Sequence, residues 1–525
     1  MIRILLALWF LLLPALFWAE GSPTLRVNFG DSPISNDPAQ GQTSLEAQVL
    51  SALYEGVLTY DPVTLKPAPG AAQKWEFAPG NMGLTLTLRP GLTYEDGTPL
   101  TSDDFLQSWL RLLNPALGAP FASLLDPIEG VQAWREGKLK DVSKLGIQTP
   151  APDKIVLKFH EPAPQMASIL SHYSFVPLAK SWRSQKQPAG VYPPSNGPYR
   201  LLSHSLASEG SPARWELVKN DKYWDASSVK IDNLEFTFRD DKEQVTKEFK
   251  DGQYAWLADV IDLSATINGR MVSATPLFGT SFFFFESTKA PWSDARIRQA
   301  LIKLLPLEEL RKNYLQPTSV LVPWFEGYPK VEPLKADKES ALSDLAAAGF
   351  PNGDGLPPVR IVVPEGSDSQ FFTDFFTKSW ADLHLSVAAV EVKGNYYDQL
   401  AGQDATLGYF SWIGDFLDPV TFLYLWKGGS SLNSFHFQNA DYDRLLVQSA
   451  KETKSEDRLK DLGKAEEFLL QQGLLIPLSH TPGFSLIDLQ QVGGWYANPL
   501  DLHPFKSLYW KPLPSVKNTV RFDLR

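Results

Sequence analysis

The chain of 525 residues contains no cysteine. Disulfides, thiolate metal sites, cysteine nucleophiles and a lipid-modified N-terminal cysteine are therefore excluded. There is no lysine- or arginine-rich block, and the formal net charge is −11. Nucleic acid and anionic membrane surfaces demand a basic footprint and are not expected as partners. A long apolar run occurs once, at residues 4–13. No later segment has the roughly 20 uninterrupted apolar residues that span a bilayer. Internal repeats, heptads and low-complexity tracts are absent too.

The easily recognised catalytic signatures are also missing. Seven histidines, at 160, 172, 204, 384, 436, 480 and 503, show no paired helical spacing of the zinc-protease kind. The chain holds no Gly-x-Ser-x-Gly elbow, no phosphate-cradling Gly-x-x-x-x-Gly-Lys loop and no dinucleotide glycine fingerprint. Ser227 and Lys230 match a loose Ser-x-x-Lys pattern, but they stand in a polar turn without companion motifs. The adjacent Glu95 and Asp96 are better explained as turn chemistry than as a glycosidase pair. Neither catalysis nor a cofactor is expected.

What is present is a large core-forming composition, 43% apolar and 12% aromatic, in a length that suggests about three domain-sized units. Arg3, the apolar run and Ala19-Glu-Gly21 have the order of an export signal, with cleavage expected before Ser22. Alternation predicts strands at 25–29, 83–89, 155–159, 215–219, 231–239, 281–285 and 359–363. Helical spacing appears at 44–54, 294–304, 339–348, 369–383 and 456–472. Thr101 with Asp104 forms a capping pair ahead of the stripe Phe105, Trp109 and Leu112. This mixture, with 41 prolines, predicts an α/β protein with mixed sheets.

The stretch Phe410-Ser-Trp-Ile-Gly-Asp415-Phe-Leu-Asp-Pro419 sets one acidic residue among aromatic and glycine neighbours after an apparent strand. An anion on an aromatic-walled turn suits a pocket that grips an ammonium group.

Several segments, in order along the chain, share one pattern. They are Leu53-Tyr-Glu-Gly-Val-Leu58 with Lys66-Pro-Ala-Pro-Gly-Ala-Ala72 and Trp75; residues 84–105, Leu-Thr-Leu-Thr-Leu-Arg-Pro-Gly through Ser-Asp-Asp-Phe; Ser195-Asn-Gly-Pro-Tyr199; Asn220-Asp-Lys-Tyr-Trp224; the helix at 291–301; Ile476-Pro-Leu478; and Gly493-Gly-Trp-Tyr-Ala-Asn-Pro-Leu-Asp501. In these the chain resembles the periplasmic oligopeptide- and dipeptide-binding proteins of ABC importers, extracellular solute-binding protein family 5.

The resemblance implies a two-lobe periplasmic-binding-protein fold, class II-like, with an extra third domain. Domain I would be 23–57, 192–279 and 490–525, domain II 58–191 and domain III 280–489, with crossings at 277–279 and 485–490. It further implies that Asp415 holds a peptide's α-ammonium and that Trp412 walls the first side-chain pocket. Tyr396 would be an aromatic platform and Phe121 a lobe-closing ring. Gln42, Thr43 and Ser44 would form an extended segment pairing with the ligand backbone, and Gly41 and Ser411 would allow close approach. Basic residues that neutralise the peptide carboxylate in relatives have no clear match, since Tyr409, Asp368 and Ser369 stand near those places. The expected partners are a peptide ligand and, at the inner membrane, an ABC permease with its ATPase. The protein itself would be a free periplasmic monomer. The same scaffold would alternatively bind an oligosaccharide, opine or nickel complex.

Overall fold

In a computed structural model the described residues are 22–30, 35, 37–183, 191–208, 212–259, 261–262, 272–393, 396–400 and 402–512. The export signal expected at 1–21 lies outside them.

Two long strands, Val272–Phe285 and Leu475–Ile487, pair antiparallel and form the spine of a ten-stranded mixed sheet. Leu407–Ile413, Val359–Pro364 and Val387–Val392 continue it on one side of the spine. Trp256–Leu257, Thr24–Asn28, Asn233–Phe238, Ala213–Lys219 and Tyr199–Ser205 continue it on the other. A strand covered on both faces needs no polar alternation. The run of four phenylalanines shows this: Phe282 and Phe284 enter one core, Phe283 and Phe285 another.

The pairing of the spine strands shifts register at two places, and the larger shift follows Pro276. Pro276 pairs with Pro482, but the next partners are Thr280 and His480, so residues 277–279 stand opposite Thr481 alone. Neither proline has an N–H to give the ladder, and extra residues on one strand bend it. Residues 277–279, expected as one crossing, lie at this break. The other expected crossing, 485–490, begins inside the ladder. Ser485, Leu486 and Ile487 are ladder-paired, and the irregularities of their strand are at Leu478 and Thr481.

A second, antiparallel sheet runs in the order Ala72–Phe77, Gly83–Leu88, Lys154–Lys158, Ile147–Ala151. Beside it the helix Ser102–Leu112 buries Phe105, Trp109 and Leu112. The N–H and hydroxyl of Thr101 donate to the Asp104 carboxylate at 2.7 and 3.0 Å, which completes the helix start the sequence predicts. These residues belong to one apolar core with Phe410, Trp426 and Phe435 of the later part of the chain. Phe410 and Phe435 of this core also line a cavity.

Candidate ligand-binding site

The cavity has a volume of about 1540 Å³. All eight residues expected at the site line it: Gln42, Thr43, Ser44, Phe121, Tyr396, Ser411, Trp412 and Asp415. The strand Leu407–Ile413 carries Ser411 and Trp412 along one wall, and Asp415 follows in the turn that leads to the short helix Val420–Leu423.

Asp415 is held from several directions. Its Oδ2 accepts the Thr421 hydroxyl at 3.1 Å, its N–H donates to that same hydroxyl at 3.1 Å, and its carbonyl accepts Tyr60 Oη at 3.1 Å. The Asp415 side chain is only 6% exposed, and its Oδ1 stands 4.0 Å from His172 Nε2. That separation is too long for a direct hydrogen bond. Burial pushes the Asp415 carboxyl up to about 8, against the pull of the Thr421 hydroxyl. Burial also pushes the His172 imidazole down to about 3, so it is neutral and offers no counter-charge. Because His172 Nδ1 accepts the Ser174 N–H, the ring proton belongs on Nε2, facing the carboxylate. Phe121 and Tyr173 flank the imidazole at ring distances of 4.4 and 4.1 Å.

Trp412 stacks on Phe410 with centroids 6.1 Å apart, and its Nε1–H is buried without an acceptor. The Tyr396 hydroxyl reaches the carbonyls of Val362 and Tyr409 at 2.9 and 2.8 Å, so it is tied to the sheet and leaves ring surface to the cavity. Ser411 Oγ accepts the Ser281 hydroxyl at 3.1 Å.

A profile of the bacterial extracellular solute-binding proteins, family 5 Middle, matches residues 66–434. The chain belongs to this family. Among the relatives of this family 5 protein is the oligopeptide-binding protein OppA of Bacillus subtilis, 27% identical over 88% of each chain. The Haemophilus influenzae OppA structure in complex with RPPGFSPFR shares the fold, with TM-score 0.81 at 24% identity over 94% of this chain and 99% of that one. The Escherichia coli murein tripeptide binding protein MppA, 25% identical over 94% and 99%, superposes with TM-score 0.80. Against the unliganded open form of MppA, 26% identical over 93% and 98%, the score is 0.65. The lobes of this family 5 protein therefore stand closer to the first arrangement than to the open one.

Two expectations about the site need correction. Residues 42–44 do not form a free extended edge. The N–H groups of Gln42 and Thr43 donate to Glu46 Oε2 at 2.8 and 3.2 Å, and Ser44 opens the helix Ser44–Leu53. Those donors are consumed by a capping box and are not available for pairing with a ligand backbone. Nor does Gly41 make room for a ligand. A Cβ there would come within 2.9 Å of the Tyr173 ring, so the close approach is internal. The Ser227–Lys230 segment is local turn structure, with Lys230 Nζ donating to the Ser227 carbonyl at 2.7 Å. Sequence reasoning missed Tyr60, His172, Tyr173 and Thr421. Of these, Thr421 carried a local signal, as a hydroxyl six residues beyond the acid.

Proposed function

We propose that this family 5 protein is the substrate-binding component of a peptide importer. It takes a peptide into the cavity between its lobes, closes over it and presents the closed form to a membrane permease powered by a separate ATPase. It acts as a monomer in the periplasm after removal of residues 1–21. The three-domain partition expected from the sequence belongs to the same proposal.

The observation that carries the reading is Asp415. A buried carboxylate with one side-chain donor and no cation beside it is costly. A peptide's α-ammonium supplies both the charge and the missing donors. Support for peptides as the ligand class comes from the named oligopeptide binding of the Bacillus subtilis relative. Trp412, Tyr396 and Phe121 then serve as aromatic walls, and Ser411 lies where the ligand backbone passes.

The test is thermal. Purified mature protein is heated with a nine-residue peptide bearing a free amino terminus and with its N-acetylated copy. At a hundredfold excess over Kd the free peptide stabilises by about 2.7 kcal/mol, and the acetylated copy gives a small fraction of that shift. Equal shifts for the two peptides, or mass spectra of co-purified material showing only a sugar or a metal chelate, defeat the reading.

A further inference from the structure

Asp415 and His172 both line the cavity, and they present opposite hydrogen-bonding needs. Asp415 Oδ2 accepts the Thr421 hydroxyl at 3.1 Å, which leaves Oδ1 as the oxygen toward His172. His172 accepts the Ser174 N–H on Nδ1 at 3.3 Å, so its own proton is on Nε2, 4.0 Å from that oxygen. The gap is too long for the two to satisfy each other. Among the described residues no other acceptor answers the Nε2–H.

The imidazole is also locked in place. Phe121 and Tyr173 flank it at ring distances of 4.4 and 4.1 Å, with Phe175 at 5.9 Å. Tyr173 is backed in turn by Gly41, where a Cβ would come within 2.9 Å of its ring. His172 Nδ1 caps the short turn Tyr173–Phe175, so rotating the imidazole would strand the Ser174 N–H. Packing alone would be served by a phenyl ring, which leaves no donor unanswered. A donor fixed by stacking and by a backbone bond, beside an open carboxylate oxygen, is preorganised for a ligand that meets both.

An ammonium group meets only one of them. It has three donors and no acceptor, so it serves Oδ1 and does nothing for the Nε2–H. The group that completes the pair is a carbonyl oxygen. In the first residue of an extended peptide the ammonium nitrogen and the carbonyl oxygen lie about 3 Å apart, from standard bond lengths. With hydrogen bonds of about 2.9 Å on either side, that spacing fits the 4.0 Å between Oδ1 and Nε2. Burial keeps the imidazole neutral, so it does not repel the ammonium beside it.

We propose that His172 is a specificity-determining residue whose Nε2–H donates to the first carbonyl oxygen of the ligand while Asp415 holds the ammonium. The site thereby reads an α-aminoacyl end and not an amine alone. This rests on the reading that Asp415 holds the peptide amine.

Calorimetry tests this with the nine-residue peptide and a copy whose first carbonyl is a thiocarbonyl, a weaker acceptor in the same place. The wild type is expected to bind the thiocarbonyl copy about five- to tenfold more weakly. In His172→Phe, which keeps a ring between Phe121 and Tyr173, the two peptides should bind alike. His172→Gln, which can return an N–H to the place of Nε2, should restore part of the preference. A histidine that only packs would change both affinities together and leave their ratio untouched. Equal binding of the two peptides by the wild type, a comparison that needs no variant to fold, overturns the inference. So does a preference that survives in folded His172→Phe. Both outcomes leave peptide binding intact. If N-acetylation of the peptide costs nothing, the reading of Asp415 fails and takes this inference with it.

Discussion

Two buried carboxylates in this molecule have opposite surroundings. Glu466, on the helix Ser455–Gln471, accepts the N–H groups of Leu321 and Val322 at 2.6 and 3.0 Å and the Tyr328 hydroxyl at 2.9 Å. Asp415 accepts the Thr421 hydroxyl and faces a large cavity. Burial raises both, Glu466 to about 7 and Asp415 to about 8, although Glu466 has three donors pulling the other way. Burial and a raised carboxyl therefore do not mark a binding site. What separates the two is whether the fold has supplied the donors: at Glu466 it has, and at Asp415 that capacity is left for something else.

The largest effect is expected where the donors are already in place. Glu466→Ala strands two N–H groups and a hydroxyl in the interior, and each buried orphan costs about 1–3 kcal/mol. Urea unfolding should show a loss of about 4 kcal/mol, while the folded protein keeps its peptide affinity within about twofold. A loss under about 1 kcal/mol would mean that Glu466 is as under-satisfied as Asp415, and the contrast would disappear.

At Asp415 the same kind of change should reverse its target. Asp415→Asn replaces a carboxyl that burial keeps protonated in the ligand-free closed form with a neutral group of the same shape, so the urea midpoint should not fall. Peptide affinity, measured by calorimetry, should drop at least about 100-fold, or about 3 kcal/mol, as for other truncated buried charge pairs. Retained affinity would assign Asp415 to the same structural class as Glu466.

The Glu466 and Asp415 sites were not equally legible from sequence. Local patterns were read well. The Thr101–Asp104 cap and the stripe of Phe105, Trp109 and Leu112 need only a few neighbouring residues, and the structure has them. Asp415 stood out because its aromatic and glycine neighbours are adjacent in sequence. Its other partners were invisible, since Tyr60 is 355 positions away and His172 arrives by folding. The spine strand Leu475–Ile487 carries Pro477, Pro482 and Gly483, residues that interrupt the alternation by which strands are recognised. Of these, Pro482 stands opposite another proline, Pro276, of the long partner strand, and Pro477 opposite Phe282. The capping box at 43–46 was passed over because residues 42–44 were assigned by resemblance to an extended role, although Thr43 and Glu46 have the spacing.

Acidity should also separate the two carboxylates. In the closed, ligand-free protein Asp415 titrates at about 8, whereas a hydrated carboxyl titrates near 3.9. Between these values the closed form holds a proton that an opened form releases. The contribution of Asp415 to closure is therefore fully present below about pH 4 and is lost as pH rises through about 8. Small-angle scattering of the ligand-free protein should show a radius of gyration that grows over this range, and Asp415→Asn should flatten the profile. Calorimetry near pH 7 in buffers of different ionisation enthalpy should show close to one proton released as a peptide amine binds, and much less above pH 9. A flat wild-type profile would show that Asp415 is no more exposed in the open form than in the closed one.

The smallest effect is expected at Trp412, where the ring and the N–H have separate roles. The ring stacks on Phe410 and walls the cavity, while the buried Nε1–H has no acceptor and costs desolvation without return. Trp412→Phe deletes the orphan donor but also some apolar contact, so the two changes offset. Unfolding should shift by less than about 1 kcal/mol. The space opened beside Asp415 should instead alter ligand choice, favouring a bulky over a small first side chain by about threefold, the scale of one methylene-sized change in a pocket. A destabilisation above about 2 kcal/mol with unchanged ligand preference would mean that Trp412 belongs to the core, as Glu466 does, and that the pocket wall lies elsewhere.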